Sequence, residues 1–225
     1  MIAAVLRGLS PYATVHDLQR RLVDQRSRGE GQDVLLLLEH APTITVGRGR
    51  DAALGLLDPG ATPVVEVERG GQATWHGPGQ LVAYPIVALH PPQRDLHAHM
   101  RALEQAVIDV LAELGLPSQR DSRNTGVWLP SPPGLPRKVC SVGIACRRWV
   151  TWHGLALNVH SDPTSFDSIS PCGFPSTVMT RLADHKTPAP ALEALRDPLA
   201  DALAHRLGRP LTETMWIDDA EAAFR

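Results

Sequence analysis

RGGQATWHGPGQL, residues 69–81, separates two strand-like runs at 64–68 and 81–89. Its four glycines allow backbone angles that other residues avoid, and they let the main chain approach a ligand closely. Arg69 stands at the start of this block, and an arginine at a turn that exposes backbone N–H groups is typical of an anion or carbonyl site. The block matches neither the dinucleotide-binding fingerprint nor a phosphate-binding loop. A tight turn or bulge in a sheet is the alternative interpretation.

The apolar pattern on either side of this block predicts helices mixed with strands. The clearest helix, over 95–114, is capped by Asp95 and ended by Gly115. Another helix follows the capping pair Thr14 and Asp17 and runs to residue 28. Further helices are predicted over 175–183, over 191–207 with a kink or break at Pro198, and from an Asp218 cap to 224. Other strands are predicted over 33–39, 43–46, 125–129, 138–147 and 153–159, and a long loop over 47–63.

These elements predict the fold class. The simplest architecture is one α+β domain over residues 1–225, in which helices flank a mixed β-sheet. The chain is 43% hydrophobic and carries a net charge of only −2, so nothing in its composition indicates binding to nucleic acid. Its longest aliphatic run, residues 34–38, is far shorter than the roughly 20 residues that span a bilayer. Three cysteines do not form a disulfide framework. We therefore expect a cytoplasmic protein without membrane contact.

Cys172 is the candidate nucleophile. It lies in Ser170-Pro171-Cys172-Gly173, directly before the helix predicted at 175, and the positive end of a helix dipole stabilises a thiolate. An inert loop thiol is the alternative. Cys140 and Cys146 lie at even spacing in an apolar strand, which predicts buried small hydrophobic residues.

A cysteine nucleophile needs a group that stabilises its thiolate or moves protons, and the candidates are Lys138, His76 and His153. Lys138 is unusual, because only it and Lys186 are lysines among the 22 lysines and arginines. It opens a strand in which Ser141, Gly143 and Ala145 form a small-residue face. That face either leaves room for a ligand or packs closely on a neighbouring strand. Strict alternation places Lys138 opposite this face, so its orientation stays open unless a bulge or an early strand start intervenes.

Five blocks, taken in order, resemble the lipoyl(octanoyl) transferases. They are RGGQATWHGPGQL (69–81), TGVW (125–128), KVCSVGIA (138–145), HGLALNV (153–159) and SPCG (170–173). The resemblance implies the fold of the biotin and lipoate protein ligase catalytic domain. It also implies transfer of an octanoyl group from octanoyl-acyl carrier protein to a lysine of lipoyl domains, in lipoate biosynthesis and protein lipoylation. The implied acceptors are the lipoyl domains of 2-oxoacid dehydrogenase complexes and the glycine cleavage H protein.

The resemblance also implies residue roles. Cys172 corresponds to the acyl-thioester nucleophile, and Lys138 to the lysine that stabilises its thiolate and handles the proton. His153 is a supporting candidate. The implied substrate-binding residues are Arg69, Gly70, Gly71, Gln72, Ala73, Thr74, Trp75, His76, Ser141, Val142, Gly143, Gly154, Leu155 and Ala156. Trp75 departs from the tyrosine that is common in the family, which concerns pocket shape rather than chemistry.

The chemistry requires neither metal nor cofactor, because a thioester donor is already activated. This suits a sequence without a phosphate-binding loop or a metal-ligand motif. An ATP-dependent lipoate or biotin protein ligase is one alternative. It is disfavoured because Gly77 and Pro78 follow His76, where the lipoate ligases commonly have aspartate. The others are a cysteine hydrolase that uses His153 or His76 as its base, and a non-catalytic acyl-protein binding module.

Overall fold

The computed structural model describes residues 1–49, 55–122 and 124–224, except for the side chain of Cys172. Within these residues there are three α-helices and eleven strands, and the strands form two sheets. The strands are β1 (Ile2–Ser10), β2 (Val34–His40), β3 (Thr43–Val46), β4 (Val64–Glu66), β5 (Ala73–His76), β6 (Gln80–Ala88), β7 (Gln119–Asp121), β8 (Asn124–Leu129), β9 (Arg137–Arg147), β10 (Val150–Asn158) and β11 (Glu213–Ile217). The helices are α1 (Tyr12–Ser27), α2 (Leu96–Glu113) and α3 (Leu192–Leu207).

The larger sheet is mixed and carries most of the core. Its strand order is β11-β1-β2-β6-β10-β9-β8-β7, with β1 parallel to β2 and β11 and the other pairs antiparallel. Helix α1 packs on one face, and α2 and α3 pack on the other. The central strands β6 and β10 are buried along their whole length because both faces are covered. The predicted fold class, a mixed sheet flanked by helices, is confirmed.

The smaller sheet has the order β4-β3-β5 and its own apolar cluster. Its strand β5 lies inside the glycine-rich block that the sequence analysis treats as an interruption between strands. The block approaches the larger sheet where Gly70 N donates to Ile144 O at 2.9 Å. The smaller sheet therefore places the glycine-rich block over strand β9.

The helix predictions are confirmed in part. Asp95 caps α2 by accepting a hydrogen bond from Ala98 N at 2.9 Å. Helix α1 begins at Tyr12 and has no side-chain cap, so the predicted capping pair Thr14 and Asp17 is wrong. The proline before α1, Pro11, occupies the N-cap position instead. Helix α3 continues through Pro198, because leucines on both sides of the proline anchor the helix in the core.

Two other helix predictions are wrong, and strands β1 and β11 were missed, because long-range pairing decides the local structure. The terminal helix expected after Asp218 is absent from the described residues up to 224, and β11 pairs with β1 just before it. Strand β1 itself escapes sequence analysis. The helix expected over 175–183 is replaced by the short 3₁₀ turns Ser176–Val178 and Leu182–Asp184. Between these turns the main chain pairs with Lys138, whose carbonyl accepts from Thr180 N at 2.9 Å.

In the described part of the chain, no helix combines the length and the apolar character needed to cross a membrane. The predicted 47–63 loop falls partly outside the described residues, because 50–54 are not described. Within its described part, Leu56 forms a β-bridge with Ile169.

Candidate active site

A cavity of about 310 Å³ lies between the glycine-rich block and strands β9 and β10. This volume is at the lower end of the roughly 300–1,000 Å³ range of small-molecule sites. Small residues on facing strands, Ser141 and Gly143 on β9 and Gly154 and Ala156 on β10, line it. The pairing Gly154↔Gly143 puts two residues without side chains directly opposite each other. Ser141 and Gly143 of the predicted small-residue face therefore line a ligand-sized space, whereas Ala145 packs against the apolar core.

Lys138 shares this cavity because β9 contains a β-bulge. The pairing runs Val127↔Cys140 and then Trp128↔Lys138, so Val139 is an extra residue in β9. The extra residue brings Lys138 onto the same face as Ser141, three positions away, and both line the cavity. The bulge answers the question of orientation that strict alternation leaves open.

The Lys138 side chain is buried between Trp128 and Gly126. Its Nζ atom lies 5.5 Å from the centroid of the Trp128 ring, which is within cation–π distance. A Cβ atom on Gly126 would lie 2.6 Å from Lys138 Cε, and the φ of Gly126 is +135°. Position 126 thus requires glycine for two reasons: its positive φ angle disfavours other residues, and a side chain there would collide with Lys138.

The buried carboxylate of Glu104 holds this part of β8. Glu104 lies on α2, and its Oε1 accepts from Gly126 N at 2.7 Å. Its Oε2 accepts from Arg120 Nε at 3.0 Å. Glu104 is a residue that sequence reasoning missed, because its partners are 16 and 22 positions away.

Arg69 organises the glycine-rich block. Its guanidinium donates to Gln72 O at 2.8 Å and, across to β3, to Thr45 O and Thr45 Oγ1 at 2.8 Å each. These bonds hold the turn against the smaller sheet while Arg69 itself lines the cavity. Arg69 therefore binds carbonyl groups, as its position in the sequence predicted, but these carbonyls belong to the protein itself.

A chain of buried hydrogen bonds connects the glycine-rich block to Lys138. His76 Nδ1 donates to Gln80 Oε1 at 2.8 Å, and Gln80 Nε2 donates to Asn158 Oδ1 at 3.0 Å. Asn158 Nδ2 donates to Thr180 O at 3.0 Å, and Thr180 N donates to the Lys138 carbonyl. Three of the five sequence blocks are joined by this network, which gives His76 a positioning role.

Of the two cysteines predicted to be buried, only Cys140 is fully buried. Cys140 is buried, and burial raises the pKa of its thiol to about 12. Cys146 is only half-buried, and burial raises its pKa too. The main chain of Cys172 lies in the 3₁₀ turn Pro171–Gly173, while its side chain lies outside what the structure describes. No α-helix follows this turn in the described residues before α3, so the helix-dipole argument for Cys172 is wrong.

The structure brings nearly all of the other predicted site residues to one cavity. Lys138, His153 and every implied substrate-binding residue except Trp75 line it. Pro171, the neighbour of Cys172, lines it too, although it was not predicted. Trp75 instead packs into the smaller sheet, with its ring centroid 5.5 Å from that of Phe166. A Cβ atom on Gly77 would collide with the Trp75 ring, so that glycine makes room for the indole.

Both tyrosines of the chain, Tyr12 and Tyr84, also line the cavity, although sequence reasoning missed them. Tyr84 Oη lies 2.9 Å from Nε2 of the buried His40. Burial raises the pKa of Tyr12 to about 12, against the opposing effect of the Arg69 charge. Their scarcity in the sequence was the one available signal, as it was for Lys138.

His153 lies on β10 with its ring at the cavity wall. Burial, together with the charges of His16 and Arg69, lowers the pKa of His153 to about 3, so the ring is neutral near pH 7. His153 also faces His16 of α1 and Glu68 after β4. Sequence reasoning, which found no metal-ligand motif, missed this grouping because the three residues come from distant parts of the chain.

Comparison with known proteins shows the family of this chain. Residues 11–204 match the family model of the lipoyl protein ligase A/B catalytic domain. The octanoyltransferase of Gloeobacter violaceus is 42% identical over 202 residues, which cover 89% of this chain and 88% of that protein. The octanoyltransferase of Mycobacterium tuberculosis is 42% identical over 200 residues, which cover 89% and 84%. The chain therefore belongs to the lipoyl protein ligase A/B catalytic domain family and, within it, to the octanoyltransferases.

Solved structures agree on the fold. A chain from the archaeal lipoylation system of Thermoplasma acidophilum, which contains a bipartite lipoate protein ligase and its E2 lipoyl domain, has a TM-score of 0.72 at 18% identity. The match covers 98% of this chain and 89% of the other. The biotin protein ligase of Aquifex aeolicus has a TM-score of 0.53 at 12% identity, over 92% of this chain and 69% of the other. The resemblance to the biotin and lipoate ligase fold is confirmed.

Proposed function

We propose that this octanoyltransferase works by covalent catalysis, with Cys172 as the acyl carrier and Lys138 as the proton-handling partner. The observation that carries the proposal is the position of Lys138. It is a buried amine on the wall of an acyl-sized cavity, and the same wall includes Pro171, the immediate neighbour of Cys172. A chain that almost always uses arginine for positive charge keeps at this place a group that can exchange a proton.

The proposed reaction has two steps. In the first, the Cys172 thiolate attacks the carbonyl carbon of the octanoyl thioester, a new C–S bond forms, and the carrier leaves as a thiolate that takes up a proton. In the second, the acceptor lysine amine attacks the same carbon, a C–N bond forms, and the Cys172 thiolate is released. Lys138 stabilises the thiolate as an ammonium ion and, as a neutral amine, accepts the proton of the attacking amine.

The cavity suits the acyl chain. Ser141, Gly143, Gly154 and Ala156 leave the space open, and Val142, Leu155 and Met100 add apolar walls. We propose octanoyl-acyl carrier protein as the donor and, as acceptors, lipoyl domains of 2-oxoacid dehydrogenase complexes and the glycine cleavage H protein. The proposed role of the reaction is in lipoate biosynthesis and protein lipoylation, without a cofactor, in the cytoplasm.

Intact-mass analysis after incubation with octanoyl-acyl carrier protein tests the nucleophile. We expect one octanoyl group on the wild type and none on Cys172→Ser. Cys140→Ser and Cys146→Ser are matched controls and should retain the adduct, because the pKa of each of those thiols is raised by burial. Octanoate with ATP should yield no product. An unlabelled wild type, or transfer by Cys172→Ser at the wild-type rate, would show that catalysis at Cys172 is not covalent.

The role of Lys138 is tested with the only other lysine as control. Lys138→Arg keeps a positive charge but cannot release a proton, so we expect turnover to fall by about 100-fold or more. Lys186→Arg should leave turnover unchanged, because Lys186 Nζ donates to Leu114 O, a carbonyl just beyond the C-terminal end of α2. The rate of octanoyl transfer is measured from about pH 6 to about pH 9, on both sides of neutrality. Equal rates for the two variants at every pH would leave Lys138 with a structural role only.

A further inference from the structure

Three potential metal ligands lie close together, and one of them, His153, lines the acyl cavity. Helix α1 contributes His16, the turn after β4 contributes Glu68, and β10 contributes His153. One donor atom from each lies within 4.8 Å of the donor atoms of the other two. His16 Nε2 is 2.9 Å from Glu68 Oε2, and His153 Nε2 is 4.0 Å from the same oxygen.

His153 is the second observation that points to a ligand. Its side chain is only 1% exposed, and neither ring nitrogen has a hydrogen-bond partner among the described residues. A buried polar atom without a partner is costly, and most such atoms in folded proteins are satisfied. The residue is nevertheless held in place, because its backbone N–H donates to Gln19 Oε1 at 2.9 Å and its ring stacks on that of Trp152 with the centroids 4.4 Å apart.

We propose that His16, Glu68 and His153 bind a zinc ion. Two imidazoles and one carboxylate are a ligand set that zinc takes in tetrahedral sites that keep a fourth position open. Ligand atoms about 2.1 Å from a tetrahedral ion lie about 3.4 Å from one another. The two distances to Glu68 Oε2, 2.9 and 4.0 Å, lie on either side of that value. Small side-chain rotations therefore complete the site.

Access and charge set the expected affinity. The Glu68 side chain is 26% exposed, which gives an ion a route from solvent to the buried His153. The Glu68 carboxylate attracts the cation, while the neighbouring Arg69 opposes it. The guanidinium of Arg69 donates to Thr45 and to Gln72 O. We expect micromolar rather than nanomolar binding.

Calorimetric titration of chelator-treated protein with zinc chloride tests the site. The Cys172→Ser, Cys146→Ser double variant is the parent protein, so that neither of these two thiols binds the metal. We expect one zinc per chain. Glu68→Gln keeps the shape of the side chain and should weaken binding by at least about tenfold, as should His153→Ala. Glu66→Gln, an exposed carboxylate two residues away, is the matched control and should leave the affinity unchanged.

Cobalt substitution gives a second readout that does not depend on catalysis. Cobalt in the parent should show the intense visible absorption of a tetrahedral site, and Glu68→Gln should lose it while Glu66→Gln keeps it. Absence of zinc binding by the parent, or equal affinity in the parent, Glu68→Gln and Glu66→Gln, would overturn the proposal. Far-ultraviolet circular dichroism of each variant confirms that it is folded. Neither readout measures acyl transfer, so failure here is distinguishable from failure of the proposed function.

Discussion

Gly126 is the residue whose identity most directly determines the space for Lys138. Its backbone has a φ of +135°, and a Cβ atom there would contact both Lys138 and the Cys140 carbonyl. The contact with Glu104 fixes Gly126 from the other side. The proton-handling group of the proposed mechanism thus depends on a residue that has no side chain of its own.

Gly126→Ala is expected to impair both stability and octanoyl transfer. The added methyl group displaces the lysine, which should lower the free energy of unfolding by about 1–3 kcal/mol and the transfer rate by about tenfold or more. Gly29→Ala is the control, because Gly29 also has a positive φ, of +80°, but nothing lies within 4 Å of the added atom. Denaturant unfolding and transfer rates per folded molecule distinguish the two variants. A Gly126→Ala protein as active as Gly29→Ala would contradict this account of Lys138.

At the scale of elements, α2 packs on the larger sheet and also contributes to the cavity. Met100 on α2 lines the cavity, and Glu104 one turn later holds β8. The helix begins at Asp95, whose side chain accepts from Ala98 N. That hydrogen bond lowers the pKa of Asp95. The start of α2 was readable from the sequence because a capping residue acts on its own helix.

Asp95→Ala should lower the Tm by roughly 2–4 °C, because it removes the hydrogen bond to a free N–H group at the helix start. Asp17→Ala is the matched control. Asp17 is an exposed residue of α1 that the sequence pattern placed in a capping pair, but α1 has no side-chain cap. Thermal unfolding of both variants is the measurement. Equal losses in Tm would show that the Asp95 cap contributes nothing specific.

Elements that long-range pairing specifies were the ones that the sequence pattern missed. Residues 175–183 have helical character, yet Met179 pairs with Lys138 and the chain there forms two 3₁₀ turns. Strand β11 takes its hydrogen bonds from β1, which lies some 200 positions earlier, as the pairing Ile2↔Glu213 shows. Local propensity carries no information about such partners.

At the scale of the whole molecule, buried histidines couple folding to pH. Burial lowers the pKa of His40 and of His99 to about 4, and that of His153 to about 3. Each ring is therefore neutral in the folded protein at pH 5, whereas in the unfolded chain it binds a proton below about pH 6.5. The unfolded state binds more protons in this window, so stability falls as the pH decreases from about 6.5 toward 4.

His99→Leu should make this acid dependence shallower. Each such histidine contributes up to about 1.4 kcal/mol per pH unit to the slope of the unfolding free energy, and His99 lies outside the residues that line the cavity. Guanidinium unfolding at several pH values between about 7 and 5 measures the slope. His97→Leu, which removes an exposed histidine from the same helix, is the control. Equal slopes for the two variants would contradict the assignment.

Residue types and short-range patterns were sufficient for the fold class, the five blocks, helix α2 and the choice of Lys138 as a candidate, because each depends on neighbours in the chain or on the rarity of a residue type. The folded structure alone decided which way Lys138 points, since a bulge at Val139 has no local signature. It also decided that Trp75 leaves the cavity, that both tyrosines enter it, and that His16, Glu68 and His153 meet. Those outcomes depend on how two sheets and a helix pack together, and packing joins residues whose separation in sequence bears no relation to their distance in space.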